Sequence, residues 1–197
     1  MSQPTGCHKV ETIGLISMGS NVTLDGCRPI DRLRSALKDV ASHGIVIRKA
    51  SQFYHAPFFP ANQGADFVNV AAVIEADLAA GEVLERLHHI ETMHNRIRGK
   101  RWADRTLDID LLAWGDAVAP DEKGYSHWRN LPLERQMTDT PTELILPHPR
   151  LQDRAFVLVP LNEIIPAWCH PVTGESVQEM LDALPKSDKI EIKPLGN

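Results

Sequence analysis

Asp108 and Asp110 lie two positions apart in the run Leu107 to Leu112 (LDIDLL), where apolar and acidic side chains alternate. In an extended chain that period puts both carboxylates on one face, roughly 6 to 7 Å apart. Leu107, Ile109 and Leu111 then point the other way. Carboxylates so placed can grip the same ion or ion pair. Hard oxygen ligands of this kind suit Mg²⁺, which keeps several waters and shares its remaining positions with substrate phosphates. Immediately before them, Arg96, Arg98, Lys100, Arg101 and Arg105 place five cations in ten residues. Guanidinium forks bind phosphate oxygens bidentately, so cations beside a metal-binding carboxylate pair are what a polyphosphate requires. Far along the chain His148 and Arg154 add an imidazole and another guanidinium, as a converging phosphate site needs. Each feature has a plainer reading when taken alone. A bare DxD can be two solvated aspartates on an edge strand, the cations a basic helix end, and His148 a structural histidine between prolines.

Neither a Walker A sequence nor a GxGxxG occurs, so the usual glycine-rich cradle before a helix cannot hold the phosphates. The 197 residues carry 21 Lys+Arg against 26 Asp+Glu, a formal charge of −5, which excludes a generally basic nucleic-acid coat. Any bound anion must meet a local basic patch. With 43% hydrophobic and 24% charged residues, the composition is that of a globular protein with one sizeable core. We expect one domain over residues 1–197, with its core at about 12–166 and a polar insert at about 119–142. No run approaches the roughly 18 apolar residues that cross a bilayer. The three widely spaced cysteines, Cys7, Cys27 and Cys169, fit a reducing compartment. A cytoplasmic protein without a signal peptide or membrane partner is expected.

The elements that must position these groups follow from patterning. Thr12 to Met18 (TIGLISM) reads as a buried strand ending in the turn residues Gly19, Ser20 and Asn21. From Pro29, the spacing of Ile30, Leu33, Leu37 and Val40 predicts an amphipathic helix that Gly44 ends. Ile45 to Tyr54 predicts one long second strand. Ala56 to Ala65 reads as a loop in which Phe58 and Phe59 either serve a purpose or tuck onto the core. Phe67 to Glu75 (FVNVAAVIE) reads as a central strand with Asn69 the polar side chain inside it, and Glu82 to Ile97 as the second long helix. Leu107 to Leu112 completes a β-α-β-β-α-β order. The fold class expected is α+β: a ferredoxin-like sandwich with helices on one face of a mixed sheet. Short C-terminal helices are expected over Phe156 to Ile165 and Ser176 to Leu184. The stretch from Ala119 to Thr142 reads as an excursion or short helical insert.

Five ordered blocks resemble the 6-hydroxymethyl-7,8-dihydropterin pyrophosphokinase family of folate biosynthesis. They are GSN at Gly19 to Asn21, SxFYxxP at Ser51 to Pro57, DFVN at Asp66 to Asn69, RWxxRTLDIDLL at Arg101 to Leu112, and LPHPRLxxRAFVLVPL at Leu146 to Leu161. The resemblance implies transfer of the β,γ-diphosphate of ATP to the pterin hydroxymethyl oxygen, with release of AMP and two Mg²⁺ ions in the site. It implies Asp108 and Asp110 as metal ligands and Arg96, Arg98 and Arg105 as catalytic cations. Glu91, His148 and Arg154 join Arg98 and Arg105 around ATP. Asn69 becomes the pterin-recognition amide, Phe67 and Phe156 the rings that sandwich the pterin, and Pro57, Phe59 and Trp102 further pterin contacts. In this family the loops that hold Phe59 and Trp102 move over the substrates. The chain departs from the family pattern at Ala103-Asp104, His88, Ala56 and Phe67.

Two other classes compete. An RNA-binding module shares the element order, yet the third strand lacks its pattern of stacking aromatics and the net charge has the wrong sign. Glu85, His88, Glu91 and His94 form two ExxH pairs, the grammar of a di-iron site, but both fall on a single helix.

Overall fold

The computed structural model describes residues 12–58, 64–96 and 105–196. Along the chain these form β1 (Thr12–Ser20), α1 (Pro29–Ser42), β2 (Val46–Ala50), β3 (Tyr54–Ala56), β4 (Phe67–Ala76), α2 (Ala80–Met93) and β5 (Asp108–Trp114). There follow α3 (Glu122–Arg129), α4 (Leu133–Thr138), a 3-10 turn at Leu151–Asp153, α5 (Ala155–Ile164), α6 (Val177–Ala183), α7 (Lys186–Ile190) and β6 (Lys193–Pro194). The result is an α+β fold built on one six-stranded sheet.

The sheet runs β5-β1-β4-β3-β6, with β2 also on β4. All its pairings are antiparallel, so the expectation of a mixed sheet is corrected. Each helical crossover joins two parallel strands, β1 to β2 and β4 to β5. In both cases another strand lies between them, and every neighbour therefore runs the opposite way. The crossover helices α1 and α2 do share a face, where Leu33, Val40, Leu87 and Ile90 pack on Ile16, Val70 and Ile109. On the opposite face Val157, Leu158 and Leu161 of α5 and Met180 of α6 cover Leu15, Val73 and Leu112.

Local chemistry explains where the elements stop. Pro29 opens α1 without losing a hydrogen bond, and Gly44 takes a positive φ of 75° just past its end. The single strand expected from Ile45 to Tyr54 is two strands. At the break, Ser51 Oγ accepts the Ala71 N–H at 3.0 Å in place of a backbone carbonyl. Helix α2 ends at Met93, earlier than the periodicity suggests, because Asn95 enters the left-handed region at φ 62°. His94, past that end, meets Asp39 of α1 at 2.8 Å, which ties the two crossover helices together. No helix among the described residues is long and apolar enough to cross a membrane.

The polar insert is an anchored part of the fold. Ala119 and Leu146 exchange backbone hydrogen bonds across its base, and Tyr125 of α3 is fully buried. Its hydroxyl lies 2.8 Å from His170 Nε2. The backbone N–H groups of Val172 and Thr173 donate to His170 Nδ1, so the ring proton resides on Nε2 and points at the tyrosine oxygen. Burial, reinforced by the nearby Arg129 charge, pushes His170 from the usual 6.5 down to about 4. The unfolded chain therefore binds a proton that the folded chain refuses between those values. Stability falls as the pH drops from 6.5 towards 4, by up to about 3 kcal/mol. In His170→Asn, whose amide oxygen can replace Nδ1 as acceptor, chemical denaturation across that pH range is expected to show a flatter acid limb than in the wild type.

Candidate functional site

The two-residue period of β5 is realised. Leu107, Ile109 and Leu111 belong to the core under α1 and α2, and Asp108 and Asp110 face the other way, on the side that α5 covers further along. Register aligns three strands here. On β1, Gly19 stands between Asp108 of β5 and Asn69 of β4, and Ser17 between Asp110 and Ala71. Phe67 shares this face of β4 with Asn69. Gly19 keeps this space open: a Cβ there would lie 3.0 Å from Asn69 Oδ1, so the amide would have to shift by a few tenths of an ångström.

Around the aspartates the structure gathers cations from three places in the chain. Arg96, just past α2, donates to Asp108 Oδ1, and Arg105 donates to Asp108 Oδ2. The same Arg96 nitrogen reaches Glu91 Oε1 and the Leu107 carbonyl, each at 3.0 Å. Arg154, at the start of α5, donates to Asp110 Oδ2 at 2.7 Å. Desolvation disfavours the Asp110 carboxylate, but the charges of Arg154 and Arg105, with the Arg154 hydrogen bond, outweigh it, and its pKa lies below the usual carboxylate value. Desolvation likewise opposes the Arg96 charge, and Asp108 and Glu91 overcome it, so its pKa is raised.

His148 is held at the site by its backbone, which donates to the Leu112 carbonyl at 2.8 Å. Its Nδ1 accepts the Arg150 N–H at 3.1 Å, leaving Nε2 as the protonated nitrogen of the neutral ring. Desolvation and the Arg154 charge push its pKa from 6.5 down to about 4. The imidazole therefore offers an N–H donor without adding charge.

Asn69 is buried, and its amide Nδ2 has no hydrogen-bond partner. Such a donor in a folded interior calls for an occupant that accepts from it. Phe67 stacks on Phe58, with ring centroids 6.0 Å apart and planes 19° from parallel. Phe58 is thus tucked against the sheet, held by its N–H donating to Asp66 Oδ1 at 3.0 Å. Phe156 is exposed at the start of α5, and the Arg154 guanidinium lies 5.7 Å from its ring centroid. Pro57 is half-buried beside Phe58. Arg98, Phe59 and Trp102 lie outside the described residues.

Three residues do structural work here that patterning alone does not reveal. Gly19 provides the space just described. Asn21 accepts the Arg105 N–H at 2.7 Å and donates to the Ala65 carbonyl at 3.0 Å, which joins the entry of β5 to the loop before β4. Both belong to the GSN block, which was the available signal. Glu91 is buried between α2 and β5 and accepts the Ile109 N–H at 2.8 Å as well as Arg96, so its visible contacts orient the site. His94 is turned to Asp39 and Glu91 to Arg96, which separates the two members of the second ExxH pair.

An antiparallel α+β sheet with carboxylates set among guanidiniums, and no glycine-rich phosphate loop, has the makings of a phosphoryl-transfer enzyme outside the P-loop class. The family model described as 7,8-dihydro-6-hydroxymethylpterin-pyrophosphokinase (HPPK) matches residues 15–166. The chain belongs to this family. It is 31% identical over 180 residues to the 2-amino-4-hydroxy-6-hydroxymethyldihydropteridine pyrophosphokinase of Synechocystis, covering 91% of this chain and 77% of that one. The enzyme of the same name from Bacillus subtilis is 32% identical, over 88% of this chain and 87% of its own length. Among solved structures, a Plasmodium falciparum HPPK-DHPS superposes with a TM-score of 0.61 at 17% identity. That match covers 90% of this chain and 45% of the Plasmodium one, and at this identity it speaks for the fold alone.

Removing the Glu91 carboxylate leaves Arg96 and the Ile109 N–H short of an acceptor inside the fold. Glu91→Ala is expected to cost about 2 to 4 kcal/mol in urea denaturation. The double variant Glu91→Ala/Arg96→Ala should be less destabilised than the sum of the two single variants, because both singles remove the same ion pair.

Proposed function

We propose that this chain transfers the pyrophosphate of ATP to the hydroxymethyl oxygen of 6-hydroxymethyl-7,8-dihydropterin in folate biosynthesis, as its family membership and named relatives support. The hydroxymethyl oxygen forms a bond to the β-phosphorus and gives up its proton. The bond from that phosphorus to the oxygen bridging to the α-phosphate breaks, and AMP leaves with the bridging oxygen. The observation that carries the reading at residue level is the alignment across Gly19. An unpartnered buried amide for a heterocycle stands on one side, and a carboxylate with guanidiniums for a polyphosphate on the other.

Asn69 would meet the polar edge of the pterin, since its amide both donates and accepts. Phe67 and Phe156 would supply ring faces for the flat bicycle. Arg105, Arg154 and His148 Nε2 would hold the phosphates, with Arg96 behind them and Glu91 fixing Arg96. The donor set of Asp108 and Asp110, hard carboxylates on one face, fits Mg²⁺. These two residues would hold two ions in exchange for their present guanidinium partners. When bound, Mg²⁺ would offset the negative charge that develops in transfer. Catalysis on this reading is positioning and electrostatic stabilisation, without a covalent enzyme intermediate. The same reading takes the strand order as ferredoxin-like and residues 1–197 as one catalytic domain acting in the cytoplasm.

Purified protein given ATP, Mg²⁺ and the hydroxymethyl pterin should release AMP; release of ADP would contradict the reaction. Asp110→Ala is expected to lose about 1,000-fold or more in kcat. Asn69→Ala and Gly19→Ala should raise the KM for the pterin about 10-fold and leave the KM for ATP nearly unchanged, because both act on the amide side of the site. Equal effects of Gly19→Ala on both substrates would contradict that division.

A further inference from the structure

Asp110, His148 and Arg154 line a cleft that residues of α2, α3 and the chain just before His148 complete. Its volume is about 360 Å³, and Trp128 of α3, Leu84 of α2 and Leu144 line it as well. Thr140 and Glu143 also reach it from the end of the insert and just beyond. The lining therefore combines a guanidinium and an imidazole with apolar side chains. A nucleoside triphosphate whose phosphates take the guanidinium and the imidazole leaves its purine to the apolar side chains of the same cleft.

Trp128 is the one Phe, Tyr or Trp side chain among the described residues lining this cleft, and it is half-buried. Its placement is fixed from below. Tyr125 lies one turn earlier on α3, fully buried and in contact with His170, and Asp121 caps the helix by accepting the Gly124 N–H at 2.7 Å. Residues three apart on a helix lie on one side of it, so the buried tyrosine directs the tryptophan towards the cleft. An indole in the lining of a nucleotide cleft offers a flat face to the base, and stacking of this kind tolerates any base with a π-face.

We propose that Trp128 is the base-contacting residue of the nucleotide site, so that the insert at 119–142 serves as the outer wall of the nucleoside subsite. This rests on the assignment of the phosphate end under Proposed function. The test separates the two. Binding of ADP to the wild type should quench tryptophan fluorescence, and the quench should be lost in Trp128→Phe while ADP still binds by calorimetry. In the pyrophosphokinase assay Trp128→Ala should raise the KM for ATP about 10-fold, with kcat and the KM for the pterin within about 2-fold of the wild type. Trp128→Phe should restore most of the affinity, which a purely structural loss would not predict. Circular dichroism and thermal melting identify any variant that fails to fold, in which case Trp128→Phe carries the test. An unchanged ADP quench in Trp128→Phe, or an unchanged KM for ATP in folded Trp128→Ala, would overturn the proposal. Failure of the wild type to release AMP would overturn the reaction instead, because the ADP quench reads the nucleotide contact without turnover.

Discussion

Asp108 accepts from two guanidiniums at once, one just past the end of α2 and the other at the entry to β5. Two like charges converge on one carboxylate only because it lies between them, and a second carboxylate, Glu91, takes Arg96 from behind. With Arg154 on Asp110, three carboxylates stand against three guanidiniums among the described residues, and these six groups are formally neutral together. On the proposed reading a magnesium polyphosphate would offer both halves of this arrangement new partners, cations for the carboxylates and anions for the guanidiniums. Such an exchange would leave none of the six uncompensated, which matters in a site partly closed off from water. His148, neutral because desolvation and Arg154 lower its pKa, adds a hydrogen-bond donor without upsetting the balance.

Everything else in the sheet serves to bring this cluster beside Asn69. The interleaved crossovers place β1 between β4 and β5, so that residues nearly forty positions apart in the chain stand on either side of Gly19. The core beneath α1 and α2 anchors one face of these strands. On the other face, α5 and α6 fill the sheet as far as Leu15, Ala71 and Leu112, and Asn69 and Asp110 follow at the next positions of the same face.

Much of this was legible in the order of residues. The alternation in LDIDLL placed both aspartates on one face, and hydrophobic periodicity located both crossover helices and four of the strands. What periodicity could not carry was pairing. Two β-α-β signatures suggest parallel neighbours, and only the register shows that another strand lies between each pair. A hydroxyl that substitutes for a backbone carbonyl, as Ser51 does, looks from the sequence like a continuous strand. The early end of α2 depended on one asparagine tolerating a left-handed turn. The insert was opaque for a different reason. Tyr125, the fully buried side chain among its described residues, pairs with a histidine 45 residues further on, a long-range contact that leaves no periodic trace. At the site, the residue types announced themselves while the supporting geometry did not. Gly19 matters for the side chain it lacks, and Asn21 and Glu91 act through backbone N–H groups that every residue possesses.

The central claim is that Asp108 and Asp110 together draw a metal-bound polyphosphate to this face. Calorimetric titration with an ATP analogue whose α,β bridge is a methylene group tests it without turnover, with and without Mg²⁺, on the wild type and on Asp108→Asn/Asp110→Asn. The account predicts binding to the wild type that tightens at least about 10-fold with Mg²⁺, and no such gain in the variant. Equal tightening by Mg²⁺ in both proteins would place the metal elsewhere and contradict it.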